Sequence, residues 1–256
     1  MNVKMIVTDL DGTLLRSDKT ISERTLRAFE KCRAYGIVIG AATARSEYSA
    51  RKYLGLLKPD FIISNGGGLA SIGGEIVYKS MLDSAAVSGI IKRCREVQPD
   101  GEITVDTDEG YYWNYKEKPS ADSDYGNAVY CDFSDFNCPA YKITAELERE
   151  ADMHKIAEEF PVCGCLSFIG ETWRRFANKK ADKISALKII AERLCISADN
   201  IAAFGDDLND IEMLEYCGIG IAMGNASEAV KRAAGYVCCT NDNDGIAKFT
   251  ENVLLR

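Results

Sequence analysis

Asp9 and Asp11 stand two residues apart at the end of an apolar run, Val3-Lys4-Met5-Ile6-Val7-Thr8, and lead into Gly12-Thr13. Desolvated carboxylates repel one another and shift toward protonation. A buried strand that ends in such a pair therefore either turns out into solvent, with Asp and Gly supplying the turn, or holds something there. Three other segments present polar groups where a strand or helix meets a loop: Thr43, Lys183, and Gly205-Asp206-Asp207-Leu208-Asn209-Asp210 with several acids and an amide. Such an oxygen-rich set suits a hard cation, and Mg²⁺ needs only a few protein oxygens because it keeps waters for the rest of its octahedron. A carboxylate can also attack phosphorus to give an aspartyl-phosphate. That step requires the phosphoryl oxygens to be neutralised, here by Mg²⁺, Lys183, the Thr43 hydroxyl and backbone amides of the Asp9–Thr13 turn. It requires an acid for the leaving group and then a base for water, and Asp11 could serve as both in turn.

Such residues must be delivered by strand ends. Ser22 reads as the N-cap of a helix with Leu26, Phe29 and Cys32 on one face, closed by Gly36. The strand Ile37-Val38-Ile39-Gly40-Ala41 runs to Thr43-Ala44-Arg45, a helix opens near Ser46, and Phe61-Ile62-Ile63 forms a third buried-type strand before Gly73-Gly74 turns a hairpin. From Leu82 the texture changes to a helix over about Ser84–Val97, short strands near Glu102–Val105 and Tyr111–Tyr115, and a strand, helix, strand, strand series from Tyr141 to Ala177. The strand–helix alternation resumes at Lys183 and ends in a closing helix near Asn243–Val253. The expected fold class is α/β: a doubly wound, mostly parallel, Rossmann-like sheet with an inserted α+β domain. The expected division is 1–81 and 180–256 for the sheet domain and 82–179 for the insert.

Asp9-Leu10-Asp11-Gly12-Thr13-Leu14, Thr43, Asp182-Lys183 and Gly205–Asp210 resemble, in order and spacing, the four motifs of the haloacid-dehalogenase-like phosphohydrolases. Ala222-Met223-Gly224-Asn225-Ala226, Val230-Lys231 and Asn243-Asp244-Gly245 resemble its Cof-type branch, whose members carry an α/β cap between the second and third motifs. The resemblance implies Asp9 as nucleophile and Asp11 as acid and base. It implies Mg²⁺ held by Asp9, the Asp11 carbonyl and Asp206, with Asp210 in support. Phosphate contacts fall to Thr43, Lys183 and Asn209, and the wider phosphate or substrate set takes in Leu10, Gly12, Ala44 and Arg45. Two positions depart from the branch: Ala44 stands where Gly is common, and Ile184 follows the motif Lys; Lys183 is preferred to Lys179 and Lys180 because it opens the helix. The activity implied is removal of phosphate from a small phosphorylated metabolite, a sugar phosphate first, beneath a cap that closes over it. A phosphomutase of the same fold and a non-catalytic phospho-ligand binder are the alternatives; a receiver-type signalling domain fits poorly with this length and with an acid/base at Asp11.

A net charge of −8 argues against nucleic acid or an anionic membrane as partner, and places the burden of anion binding on local cations, metal and amides. Ten scattered cysteines without zinc-site spacing, and Met1-Asn2-Val3-Lys4 without a targeting pattern, fit a reduced, cytoplasmic location. A monomer or homodimer is expected. His154, the single histidine, is expected on an exposed helix face. Asp207 is read as solvated or helix-capping, Tyr111–Tyr115 as strand faces packed on helices, and Arg174 and Arg175 as solvated or reaching a second anionic group of the substrate. Met223-Gly224-Asn225 is read as a loop supporting the metal side, with no chemistry of its own.

Overall fold

A computed structural model describes residues 2–168 and 170–255; Met1 and Arg256, the outermost residues of the expected sheet domain, and Ile169 of the expected insert lie outside the described residues. The first elements are β1 (Met5–Thr8), α1 (Glu23–Ala34), β2 (Val38–Ala42), α2 (Glu47–Leu57), β3 (Phe61–Ser64), β4 (Leu69–Ile72) and β5 (Glu75–Lys79). Next come α3 (Ser84–Val97), β6 (Ile103–Asp106), β7 (Tyr111–Trp113), β8 (Val129–Tyr130), β9 (Lys142–Glu146), α4 (Glu150–Glu158), β10 (Cys163–Ser167) and β11 (Trp173–Asn178). The chain ends with α5 (Lys183–Arg193), β12 (Ile201–Gly205), α6 (Ile211–Tyr216), β13 (Ile219–Ala222), α7 (Glu228–Ala233), β14 (Tyr236–Val237) and α8 (Gly245–Phe249). Two compact units result: Met1–Tyr78 with Asp182–Arg256, and Lys79–Ala181.

The first unit is built on a sheet in the order β14-β13-β12-β1-β2-β3-β4-β5. The strands from β14 to β3 run parallel, and β4 returns antiparallel to β3. Because successive side chains on a strand point to opposite faces, β1 feeds two cores. Ile6 packs with Phe29, Ile39, Leu54, Phe204 and Ile246 on one face, and Met5 and Val7 pack with Ile63, Leu187, Ile190 and Met213 on the other. Strands buried on both faces explain the near-continuous apolar runs. Chain order runs outward from β1 to β2 on one side, while β12 pairs with β1 on the other (Met5 opposite Ile201). The carboxyl ends of β1 and β12 thus flank the switch point where such sheets bind ligands.

The second unit carries a sheet in the order β10-β11-β9-β6-β7-β8, antiparallel except between β7 and β8. Its core joins Val87, Ile90 and Cys94 of α3 and Met153 and Ile156 of α4 to Ile103, Val105, Ile143 and Phe176 of the strands. Only part of the aromatic run packs as expected. Tyr112 packs against that core and Phe136, whereas Tyr111, Trp113 and Tyr115 gather with Tyr125 and Tyr130 in edge-to-face or tilted contacts. Arg174 and Arg175 are buried rather than solvated, with carbonyl oxygens accepting from one nitrogen of each guanidinium: Glu171 and Trp173 from Arg174 Nη1, Ala181 from Arg175 Nη2. His154 is exposed on α4, as expected. No helix among the described residues is long and apolar enough to cross a membrane.

Candidate active site

Asp9 follows β1 directly, and its amide continues the ladder by donating to the Phe204 carbonyl at 3.0 Å. Lys183 is the first residue of α5, whose N-cap Asp182 accepts from the Ser185 amide. The position of α5 is fixed from below by Gly67, in the turn after β3. This residue has φ +102°, and a Cβ there would lie 2.1 Å from the Asp182 carbonyl group. Asp206 and Asp210 come from the turn after β12. Asp210 carries its share of that turn's hydrogen bonding, since its Oδ2 accepts from the amides of Asp206 (3.0 Å) and Asp207 (3.1 Å). Asp207 caps the short turn that begins at Leu208, as expected.

These elements bring Asp9, Lys183, Asp206 and Asp210 together. The Lys183 ammonium donates to Asp9 Oδ1 and Asp210 Oδ1, each at 2.6 Å, and all three side chains are less than a tenth exposed. Carboxylate oxygens of Asp9, Asp206 and Asp210 lie within 4.8 Å of one another. Three acids therefore share one ammonium, and the electrostatics show the imbalance. Burial pushes the Asp9 carboxyl well above its usual range; Lys183 pulls it down, but Asp210 and Asp206 add to the rise. Burial, with Asp210 and Asp207 adding to it, likewise lifts Asp206 to about 6, against the lowering effect of the Thr13 hydroxyl that donates to its Oδ1 and of the Lys183 charge. Burial disfavours the charged Lys183, yet Asp210 and Asp9 more than offset this and raise it above the usual lysine range. A donor set of hard carboxylate oxygens with excess negative charge fits a divalent cation such as Mg²⁺.

Gly12 lies against this cluster. Its φ is +76°, and a Cβ would sit 2.3 Å from Asp206 Oδ2, so glycine is required both for the turn and for the approach of the carboxylate. Leu10 is fully buried in the apolar core, so only its backbone faces the turn's chemistry. Thr43 is buried at the end of β2, its amide donating to Ile63 and its hydroxyl accepting from the Arg45 amide at 3.1 Å. Ala44 is half-buried beside it. Asn209 is half-buried, and its Oδ1 is shielded from solvent without a hydrogen-bond partner.

Asp11 is not part of that cluster. Its carboxylate accepts from Arg45 Nε at 2.6 Å and Nη2 at 2.9 Å, and from Lys19 Nζ at 2.8 Å. Burial alone would raise this carboxyl, but the hydrogen bonds and charges of Arg45 and Lys19 outweigh it and hold it at about 2. Sequence reasoning did not single out Lys19, Thr13 or Gly67, and it gave Asn225 no task. The Asn225 side chain donates to the Gly12 carbonyl at 2.8 Å and accepts from the Asn241 amide at 3.0 Å, tying the β13 loop to the Asp9–Thr13 turn. Its place in the segment that resembles the Cof-type branch was the available signal. The Lys19 contact depends on how the chain folds back after the turn, and no spacing rule foretells it.

The family model of haloacid dehalogenase-like hydrolases matches residues 6–250. A 5-amino-6-(5-phospho-D-ribitylamino)uracil phosphatase of Bacillus subtilis is 27% identical over 275 residues, covering 96% of this chain and 95% of its own. Among solved structures, a haloacid dehalogenase-like hydrolase from Bacteroides thetaiotaomicron superposes with a TM-score of 0.84 at 26% identity, over 98% of this chain and 99% of the other. A subclass IIB sugar phosphatase superposes with a TM-score of 0.85 at 24% identity, over 99% and 100%, a likeness that shows the fold.

Proposed function

From the premise that this chain belongs to the haloacid dehalogenase-like hydrolases, as a Cof-type phosphatase, we propose that it hydrolyses small phosphorylated metabolites through an aspartyl-phosphate on Asp9, with Mg²⁺ as cofactor. The observation that carries this reading is the cluster of Asp9, Asp206 and Asp210, with buried Asp9 and Asp210 sharing the Lys183 ammonium and half-buried Asp206 beside them. Asp9 and Asp206 would hold the metal together with the Asp11 carbonyl. Asp210, whose oxygens already serve Lys183 and two amides, would support them. Bound there, the metal would supply positive charge that keeps Asp9 ionised and offsets the negative charge of the phosphoryl oxygens.

An Asp9 oxygen attacks phosphorus as the bond to the leaving oxygen breaks, and that oxygen takes a proton from Asp11. Asp11 then removes a proton from water, which attacks the same phosphorus, breaks its bond to Asp9 and releases phosphate. Lys183 holds Asp9 in line and shares the phosphoryl charge; Thr43 and Asn209 supply further contacts to it. In the arrangement seen here Asp11 is ionised, the form the second step uses. To act as acid it must first collect a proton.

The first substrate class to test is sugar phosphates. One structural relative is a sugar phosphatase, and the Bacillus subtilis relative is a phosphatase of a phosphoribityl compound. Phosphate release from a panel of sugar, nucleotide and cofactor phosphates, with and without Mg²⁺, tests the reading. Release that needs Mg²⁺ and no acceptor, and that is lost in Asp9→Asn, supports it. Appreciable turnover in Asp9→Asn would refute the covalent route, and silence across the panel would refute the phosphatase reading of this site.

A further inference from the structure

We infer that Arg45 acts as the positioning residue of the Asp11 carboxylate and not as a ligand of the phosphate; the inference rests on the acid/base role proposed above for Asp11. The two groups are 34 residues apart in sequence and meet fork to fork, with Nε on Oδ2 and Nη2 on Oδ1. A bidentate guanidinium–carboxylate pair fixes direction as well as distance, which a point-like ammonium cannot do. What makes Arg45 more than a surface partner is how it is itself held. Its Nη1 reaches the Ser49 carbonyl at 3.4 Å, and its guanidinium carbon lies 5.2 Å from the centre of the Tyr53 ring. Its amide donates to the Thr43 hydroxyl, and the Asn65 amide donates to its carbonyl at 2.8 Å. The side chain is 13% exposed, against 54% for Lys19, the other cation on Asp11.

The guanidinium is thus braced on α2 by a carbonyl and an aromatic ring and is largely buried. Asp11, by contrast, is 39% exposed and sits on a turn. The group with more contacts sets the position of the one with fewer, so Arg45 selects the Asp11 rotamer. Two of its donors are spent on that carboxylate, so a phosphate ligand would have to compete with Asp11 for them. Lys19 adds charge without direction.

The test is a double-mutant cycle in the full-length protein on Asp11→Asn, Arg45→Ala and the pair, read on two substrates. For p-nitrophenyl phosphate the leaving group needs no proton; for glucose 6-phosphate, an alkyl phosphate, it does. General acid–base catalysis typically contributes about 10²–10⁴-fold. In Arg45→Ala, single-turnover release of p-nitrophenol should stay within about 3-fold of wild type, while release of glucose slows about 30-fold or more. Adding Arg45→Ala to Asp11→Asn should cost less than about 2-fold further, because both changes remove one function. Inhibition by inorganic phosphate should stay within about 2-fold. Arg45→Lys keeps charge and bulk and should recover little of the loss; it carries the same comparison if the alanine variant does not fold. A tenfold weaker inhibition by phosphate with equal losses on both substrates would make Arg45 a phosphate ligand and overturn the inference. Full additivity in the cycle would overturn it as well. Wild-type protein that releases phosphate from neither substrate would instead refute the proposed function.

Discussion

Asp206→Asn should stabilise the metal-free protein while abolishing its response to Mg²⁺. The Asp206 carboxyl is lifted from its ordinary 3.8 to about 6. A group raised in this way holds its proton in the folded state after the unfolded chain has released it. Stability is therefore lost as pH climbs from about 4 to 6, and the loss is complete above that. A shift of this size corresponds to about 3 kcal/mol, and solvent screening of a partly exposed carboxylate reduces it to about 1–2 kcal/mol. Asparagine has no charge to desolvate and keeps an oxygen to accept from the Thr13 hydroxyl. Thermal unfolding in a chelator at pH 8 should then show the variant melting about 2–6 °C above wild type. The gap should shrink to roughly half at pH 5 and nearly close at pH 4, where the wild-type carboxyl is protonated in the folded state. Mg²⁺ at about 100 times its dissociation constant should raise wild type by about 2.7 kcal/mol and reverse the order of the two proteins at pH 8. A variant less stable than wild type in chelator, by the same amount at pH 4 and pH 8, would show that Asp206 is not held against its own charge.

With p-nitrophenyl phosphate, whose leaving group needs no proton, Asp11→Asn should retain phosphate binding but accumulate the phosphorylated protein, detectable as a mass increase of one phosphoryl group after acid quench; a slow, unphosphorylated enzyme with this substrate would contradict the second role given to Asp11. Asn225→Ala removes one hydrogen bond to the Gly12 turn and one from the Asn241 amide and should cost about 1 kcal/mol with a severalfold drop in kcat, measured by urea unfolding and steady-state kinetics. Gly67→Ala places a methyl group against the Asp182 carbonyl at positive φ. It should cost about 2–4 kcal/mol and, by displacing α5 and with it Lys183, lower activity more than Asn225→Ala does.

Much of this was legible in the residues. Apolar runs marked the strands of the first sheet because those strands are buried on both faces, and polar residues at their ends marked the ligand side. Asp9 and Lys183 could be picked out because the acid stands at a strand end and the lysine opens a helix, whereas the choice of Asp206 and Asp210 over Asp207 came from the family resemblance. The pairing of Arg45 with Asp11 was not legible, since it depends on how α2 leaves the sheet. Nor was the burial of Arg174 and Arg175: adjacent strand residues point to opposite faces, so pattern alone predicts that at least one meets solvent. The closing helix is shorter than expected. Asp244, tied to Arg16 at 2.6 Å, takes a left-handed conformation (φ 55°) that starts α8 only at Gly245, and a wider π-type turn over Thr250–Leu254 follows Phe249.

The central place of β1 has a consequence during synthesis. One neighbour, β2, follows within about thirty residues, but the other, β12, begins only at Ile201. At translation rates of about 5–20 residues per second, β1 waits roughly 10–40 s for that partner. Throughout that interval one edge of Met5–Thr8 has nothing to pair with, and its apolar side chains lack the packing that Leu187, Ile190 and Phe204 later provide. An unpaired apolar edge is a site for wrong association. The same separation keeps the nascent chain chemically silent, because Asp9 acquires Lys183 and Asp206 only when the last third of the protein arrives.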